Sequence, residues 1–143
     1  MKISIGSDHA GFELKTEIIN YLGAKGYQII DKGCYSPERA DYPDHGHAVA
    51  NSVLTGECDY GIVVCGSGNG INMSVNKHKG IRGALCWNAE VAALAKQHNN
   101  ANIIALPARF INTEEAKACV DIFLHSQFEG GRHQQRIEKI DIG

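Results

Sequence analysis

Short apolar runs recur along this chain at intervals filled by amphipathic stretches, and that alternation restricts the fold more than any other feature. Five runs are bounded by Gly, Asp or Asn and read as buried strands: Lys2 to Gly6, Tyr27 to Asp31, Tyr60 to Cys65, Ile81 to Cys86 and Asn102 to Leu106. Between them, Leu14, Ile18, Tyr21 and Leu22 share one helical face. Val91, Leu94, Ala95 and His98 share another, at the i, i+3, i+4, i+7 spacing. Asn112-Thr113-Glu114-Glu115 opens a further helix running through Ala116 to Ser126, a capping residue followed by acidic groups in the first turn. The pattern implies an α/β chain, a Rossmann-like open parallel five-stranded sheet with helices on both faces. Past Glu129-Gly130-Gly131 the tail is mostly polar, with Ile137 and Ile140 three apart, which predicts a short, weakly anchored helix at about 132–142. The longest loop candidate is Gly33 to Asp41.

A length of 143 residues fits a single domain, 1–143, and 43% hydrophobic with 21% charged residues is the balance of an ordinary globular chain. Fourteen Lys and Arg against sixteen Asp and Glu leave a net charge of −2 and no basic stripe, so neither nucleic acid nor an anionic membrane is expected as a partner. Small molecules are. There is no long apolar run, and Met1-Lys2-Ile3-Ser4-Ile5-Gly6 lacks the hydrophobic segment and cleavage site of a signal peptide, so the cytoplasm is the expected compartment. Cys34, Cys58, Cys65, Cys86 and Cys119 are odd in number and contain no C-x-x-C, which argues against a disulfide or zinc framework. Sixteen glycines exceed the ten or so expected at an average near 7%. They gather at 6–11, 61–70 and 130–131, as tight loops around a ligand do.

In an open doubly wound sheet, ligands bind beyond the carboxyl ends of the strands, where the strand order reverses. With a flavodoxin-like order 2-1-3-4-5, the loop Ser7-Asp8-His9-Ala10-Gly11 and the loop Cys65-Gly66-Ser67-Gly68-Asn69-Gly70 face each other across that point. The second loop joins a strand to a helix, so its backbone N–H groups form a nest suited to an anion. A dinucleotide fingerprint follows the first strand rather than the third, and the loop has no Walker lysine. Cys65 stands where a helix dipole and amides favour a thiolate, fit to act as base or nucleophile; its other reading is a small buried hydrophobe. Cys58, Cys86 and Cys119 read as packing residues, and Cys34 as a loop residue without a partner. His98 completes an apolar stripe, and its helix ends at the edge opposite the strand carboxyl ends. A catalytic His98 therefore serves another chain's Cys65, which makes a homodimer part of the expectation. His45 and His47 fit no strong metal motif and read as surface histidines. Arg132 and Arg136, four apart, suit a phosphate grip or a solvated helix face. Arg109 lies at the proper edge for binding, or is a surface arginine.

Six motifs occur in order: Gly6-Ser7-Asp8-His9-Ala10-Gly11, Asp41-Tyr42-Pro43-Asp44, Cys65 to Gly70, Asn76-Lys77 with Gly80-Ile81-Arg82, His98-Asn99 with Ala101-Asn102, and Glu129-Gly130-Gly131-Arg132-His133-Gln134-Gln135-Arg136. With them, nearly the whole chain resembles the sugar-phosphate isomerases that comprise the ribose-5-phosphate isomerase B type and the galactose-6-phosphate isomerase subunits. The resemblance implies reversible conversion of ribose 5-phosphate to ribulose 5-phosphate in the non-oxidative pentose phosphate pathway, without metal or organic cofactor. It makes Cys65 the base that moves a proton from C2 to C1, and His98 the residue that opens the furanose ring. Asp8 assists at the sugar oxygens, and Ser67 supplies a hydroxyl where the family usually has threonine. His9, Arg132 and Arg136 hold the phosphate, Arg109 and Asn99 bind substrate groups, and Tyr42 lines the pocket. The amides of Gly66, Ser67, Gly68, Asn69 and Gly70 meet the charge that a cis-enediolate develops on oxygen. Some members carry a glutamate base shortly after the glycine loop; here that position is Ile71, which favours the thiolate version. The implied assembly is a homodimer, or a tetramer of paired dimers. Two alternatives stand beside this reading: an isomerase of allose or galactose 6-phosphate, and a non-catalytic phosphate- or nucleotide-binding module.

Overall fold

A computed structural model describes residues 1–142. The first apolar run forms β1 (Lys2–Ser7), followed by α1 (Phe12–Ala24) and β2 (Gln28–Asp31). The chain continues through α2 (Tyr42–Leu54), β3 (Tyr60–Cys65), α3 (Asn69–Val75), β4 (Gly83–Leu85), α4 (Ala89–Gln97), β5 (Ile103–Pro107), α5 (Thr113–His125) and α6 (Arg132–Ile137). All paired strands are parallel, and they lie in the order β2-β1-β3-β5-β4. The expected parallel sheet is present, but β5 sits inside β4 rather than outside it. Burial explains the exchange. All five residues of β5 are buried, which suits a central strand covered on both faces, whereas the three residues of β4 are half-buried, as befits an edge. β1 and β3 are neighbours as expected, with Ser7 opposite Val64, so the loops after them flank the same reversal.

Strand alternation divides the core into two layers. Ile62 and Val64 of β3 join the larger cluster with Leu14, Ile18 and Leu22 of α1 and Val120 and Phe123 of α5. Val63 and Cys65 point to the opposite face and pack with Val49 and Ala50 of α2 and Ile71 and Val75 of α3. Asn112 caps α5 as its sequence predicts, its Oδ1 accepting from Glu115 N–H at 2.7 Å.

Other expectations shift for local reasons. The fourth strand starts at Gly83 and not Ile81, because the backbone N–H of Arg82 donates to Asn102 Oδ1 at 2.8 Å instead of to a neighbouring strand. On α4 the buried residues are Ala92, Ala95 and Lys96, while Leu94 of the expected stripe is 39% exposed. Lys96 lies inside because its stem is apolar and its Nζ donates to Phe123 O at 3.1 Å, 3.9 Å from the centroid of the Tyr60 ring. Helix α6 stops at Ile137, short of the expected 142, since Asp141 leaves the helical path to accept from Gly80 N–H at 3.1 Å. Cys34 does have partners. It is buried, its Sγ donates to Ser36 O at 3.4 Å, and its carbonyl accepts from Lys15 Nζ at 2.6 Å. Lys15 is fully buried and also pairs with Asp31 Oδ1 at 2.6 Å, so one cation ties α1 to the end of β2 and to the loop beyond.

Candidate active site

At the carboxyl edge of the sheet, the glycine loop is shaped by what surrounds it. Gly68 has φ +77°, and a Cβ there would lie 2.5 Å from Leu85 Cδ1 and 3.2 Å from the β5 backbone. Only glycine meets both demands. A Cβ on Gly70 would fall 2.6 Å from the Tyr42 ring, so Tyr42 does wall this loop. The end of β5 is stitched to the same segment: Ala108 N–H donates to Cys65 O and Arg109 N–H to Gly66 O, both at 2.9 Å. The Arg109 guanidinium lies over Gly66, where a Cβ would come within 3.1 Å of Nη1. Ser67 is exposed, its Oγ accepting from Asn69 N–H at 3.2 Å. Cys65 itself is 4% exposed, at the floor of this arrangement.

The facing loop after β1 is equally tied down. Asp8 is buried, and its Oδ1 accepts from Gly11 N–H at 3.1 Å. Its other oxygen has no hydrogen-bond donor among the described residues. Gly11 presses on β3, where a Cβ would meet Val64 O at 2.5 Å. His9 Nδ1 lies 3.2 Å from both the backbone N–H and the carbonyl oxygen of Ala40, which ties the ring to the loop before α2. Asp8, His9, Cys65, the residues 66–70 and Arg109 therefore share one edge.

The remaining candidates share the other edge. Gly61 pairs with Ile103 and Cys65 with Pro107, so about 13 Å of strand separates the two ends of the sheet here. His98 follows α4 and precedes the start of β5, placing it at the amino edge. Its Nε2 lies 3.6 Å from Glu129 Oε1, and its ring stacks on that of His133 with centroids 4.4 Å apart and planes 15° from parallel. His133 Nε2 is also 3.6 Å from Glu129 Oε1. Glu129 N–H donates to Gln97 O at 3.0 Å, docking the tail segment on the end of α4. Arg132 and Arg136 stand exposed on α6, and Asn99 lines a cleft of about 630 Å³ with Lys77, Arg82 and Ile140, remote from the glycine loop.

Glu129 and His133 belong to one motif of the sequence without a local signal of any role; the stacking of His133 on His98 arises only when the tail folds back on α4. His45 and His47 do not act together. His45 Nδ1 bonds Lys32 O at 3.0 Å, and His47 Nδ1 lies 2.7 Å from His78 Nε2. Burial, and secondly His47, push the His78 imidazole below its ordinary value. Burial also pushes the Cys86 thiol up to about 12 and the Cys119 thiol up to about 11, which keeps both protonated and inert, as packing residues are.

Residues 3–140 match the family model described as Ribose/Galactose Isomerase. The ribose-5-phosphate isomerase B of Escherichia coli is 48% identical over 139 residues, 97% of this chain and 93% of that protein. A crystal structure of a ribose 5-phosphate isomerase from Thermotoga maritima superposes with a TM-score of 0.97 at 51% identity, covering 98% of this chain and 97% of that one. The Mycoplasma genitalium ribose-5-phosphate isomerase B, solved with bound ribulose 5-phosphate, gives a TM-score of 0.93 at 44% identity, covering 97% and 93% of the two chains.

Proposed function

Because the chain belongs to the ribose/galactose isomerase family, we propose that it interconverts ribose 5-phosphate and ribulose 5-phosphate through a cis-enediolate, using only its own side chains and backbone. The observation that carries this reading is the junction at the carboxyl edge, where a buried thiol ends β3 at the start of the glycine loop and the buried Asp8 follows the end of the neighbouring strand β1. Aldose–ketose isomerisation needs one base that serves two adjacent carbons, and fixed donors where the oxygens gain charge. In this reading Cys65, as a thiolate, takes the proton from C2 and returns it to C1. Its low exposure suits a proton transfer shielded from water. The amides of 66–70 face the enediolate oxygens, and Ser67 Oγ relays a proton between O1 and O2. The unengaged oxygen of Asp8 orients a sugar hydroxyl.

His98 opens the furanose ring, while Arg132 and Arg136, with His9, hold the phosphate; Arg109 and Asn99 bind further substrate groups. Cys65 and His98 lie at opposite edges of one sheet, so a complete site in this reading combines the carboxyl edge of one subunit with the amino edge of a second copy. A homodimer is the smallest assembly that provides it. Among the described residues no helix is long and apolar enough to cross a membrane. The cytoplasm is the compartment proposed, supported by five free cysteines, which are stable as thiols in a reducing environment.

The test is a turnover assay on ribose 5-phosphate in parallel with allose and galactose 6-phosphates, with EDTA present throughout. Preferential turnover of the five-carbon substrate supports the reading. Preference for a six-carbon substrate moves the protein to the other branch of the family, and tight binding without turnover makes it a binding module.

A further inference from the structure

The tail contributes more than two arginines to the amino edge. We infer that His98, Glu129 and His133 form a site for a divalent transition-metal ion of the zinc class, and that occupancy of this site switches the imidazole of His98 off. The isomerase reading above underlies the second half of this inference but not the first.

The geometry is close to what such an ion requires. One ligand atom from each residue, the two imidazole nitrogens and a carboxylate oxygen, all lie within 4.8 Å of one another. Tetrahedral Zn²⁺ takes nitrogen and oxygen donors at about 2.0–2.2 Å, which sets neighbouring donors about 3.3–3.5 Å apart. Glu129 Oε1 stands 3.6 Å from both His98 Nε2 and His133 Nε2, so two of the three donor separations are already nearly right. Only the stacked rings need to splay. His98 and Glu129, 39% and 53% exposed, have room to shift, while His133, 12% exposed, is the fixed member of the set. The backbone holds the set together: Glu129 N–H is bonded to Gln97 O at 3.0 Å, and His133 N–H to Gly130 O at 3.2 Å. Two imidazoles and one carboxylate form a donor set used for zinc with a fourth position left to water. An ion there occupies the Nε2 lone pair of His98, and an occupied nitrogen neither accepts nor delivers a proton.

Co²⁺ is titrated into EDTA-stripped, dialysed protein while its visible absorption is followed, with Zn²⁺ as competitor. The expected result is a saturable spectrum in the unaltered protein and in Cys65→Ala, with affinity falling about 100-fold or more in His133→Ala and in Glu129→Gln. Affinity unchanged in those two variants, or lost in Cys65→Ala, overturns the site. Circular dichroism of each variant verifies that the fold is kept. In the turnover assay, saturating Zn²⁺ lowers the rate about tenfold or more and EDTA restores it; a rate that a bound ion leaves unmoved overturns the switch. Absence of turnover in EDTA-treated protein counts instead against the isomerase reading, and the cobalt spectra still decide the site.

Discussion

The two edges of the sheet are built by opposite means. At the carboxyl edge, the functional groups are held by backbone: Gly11, Gly68 and Gly70 each sit where a Cβ would collide, and Asp8 and Cys65 are buried beneath them. At the amino edge, they are side chains on the surface, with Arg132 and Arg136 on a six-residue helix that buries none of its residues. In the proposed reading the first edge is a mould for the enediolate, and the second is a clamp of rings and guanidiniums. Within one chain the two lie at opposite ends of the sheet, and the proposed assembly rests on that separation.

The largest expected effect falls on the mould. Cys65→Ala should lower kcat about 10²- to 10⁴-fold and abolish deuterium exchange at C2, with substrate affinity retained in calorimetric titration; near-normal turnover removes Cys65 from the chemistry. Mixing is the direct challenge to the separation of the edges. Co-expressed Cys65→Ala and His98→Ala chains, each inactive alone, should regain about a quarter of wild-type activity, the share of intact composite sites in a statistical mixture of dimers. No recovery would place both residues in the same chain's site.

Smaller effects distinguish the edges by kind. Gly68→Ala should lower unfolding stability by about 1–3 kcal/mol in urea titration, since a side chain is forced both into a left-handed backbone and against Leu85. Arg136→Ala should leave stability within about 0.5 kcal/mol but raise KM about 10- to 100-fold with little change in kcat, the signature of a lost phosphate contact. An unchanged KM would make the tail merely structural. The smallest effect lies away from both edges, at His78. Its depressed imidazole binds a proton less readily folded than unfolded, so its contribution is intact above the ordinary value of 6.5 and is lost as pH falls below it. The drop in urea midpoint between about pH 7.5 and about pH 5.5 should therefore shrink in His78→Asn.

Much of this was legible before folding. Apolar runs at strand spacing announced a parallel α/β sheet, Asn112 announced a helix start, and Gly66, Gly68 and Gly70 announced a loop that side chains could not occupy. The position of His98 at the far edge from Cys65 followed from the alternation of strand and helix alone. Other features had no local signal. Lys15 reads as an ordinary helix-surface lysine until Asp31 and the Cys34 carbonyl close around it. Leu94 fits the same apolar stripe as Ala95, yet only Ala95 of the two is buried, together with Ala92 and Lys96.

Periodicity and backbone chemistry are properties of neighbouring residues, so the chain carries its strands, its caps and its glycine turn in the sequence itself. Which strand stands between which others, whether a lysine is inside, and that Glu129 meets both His98 and His133 depend on groups far apart along the chain competing for the same buried space and the same donors. Those choices are made by packing, and only the folded molecule records them.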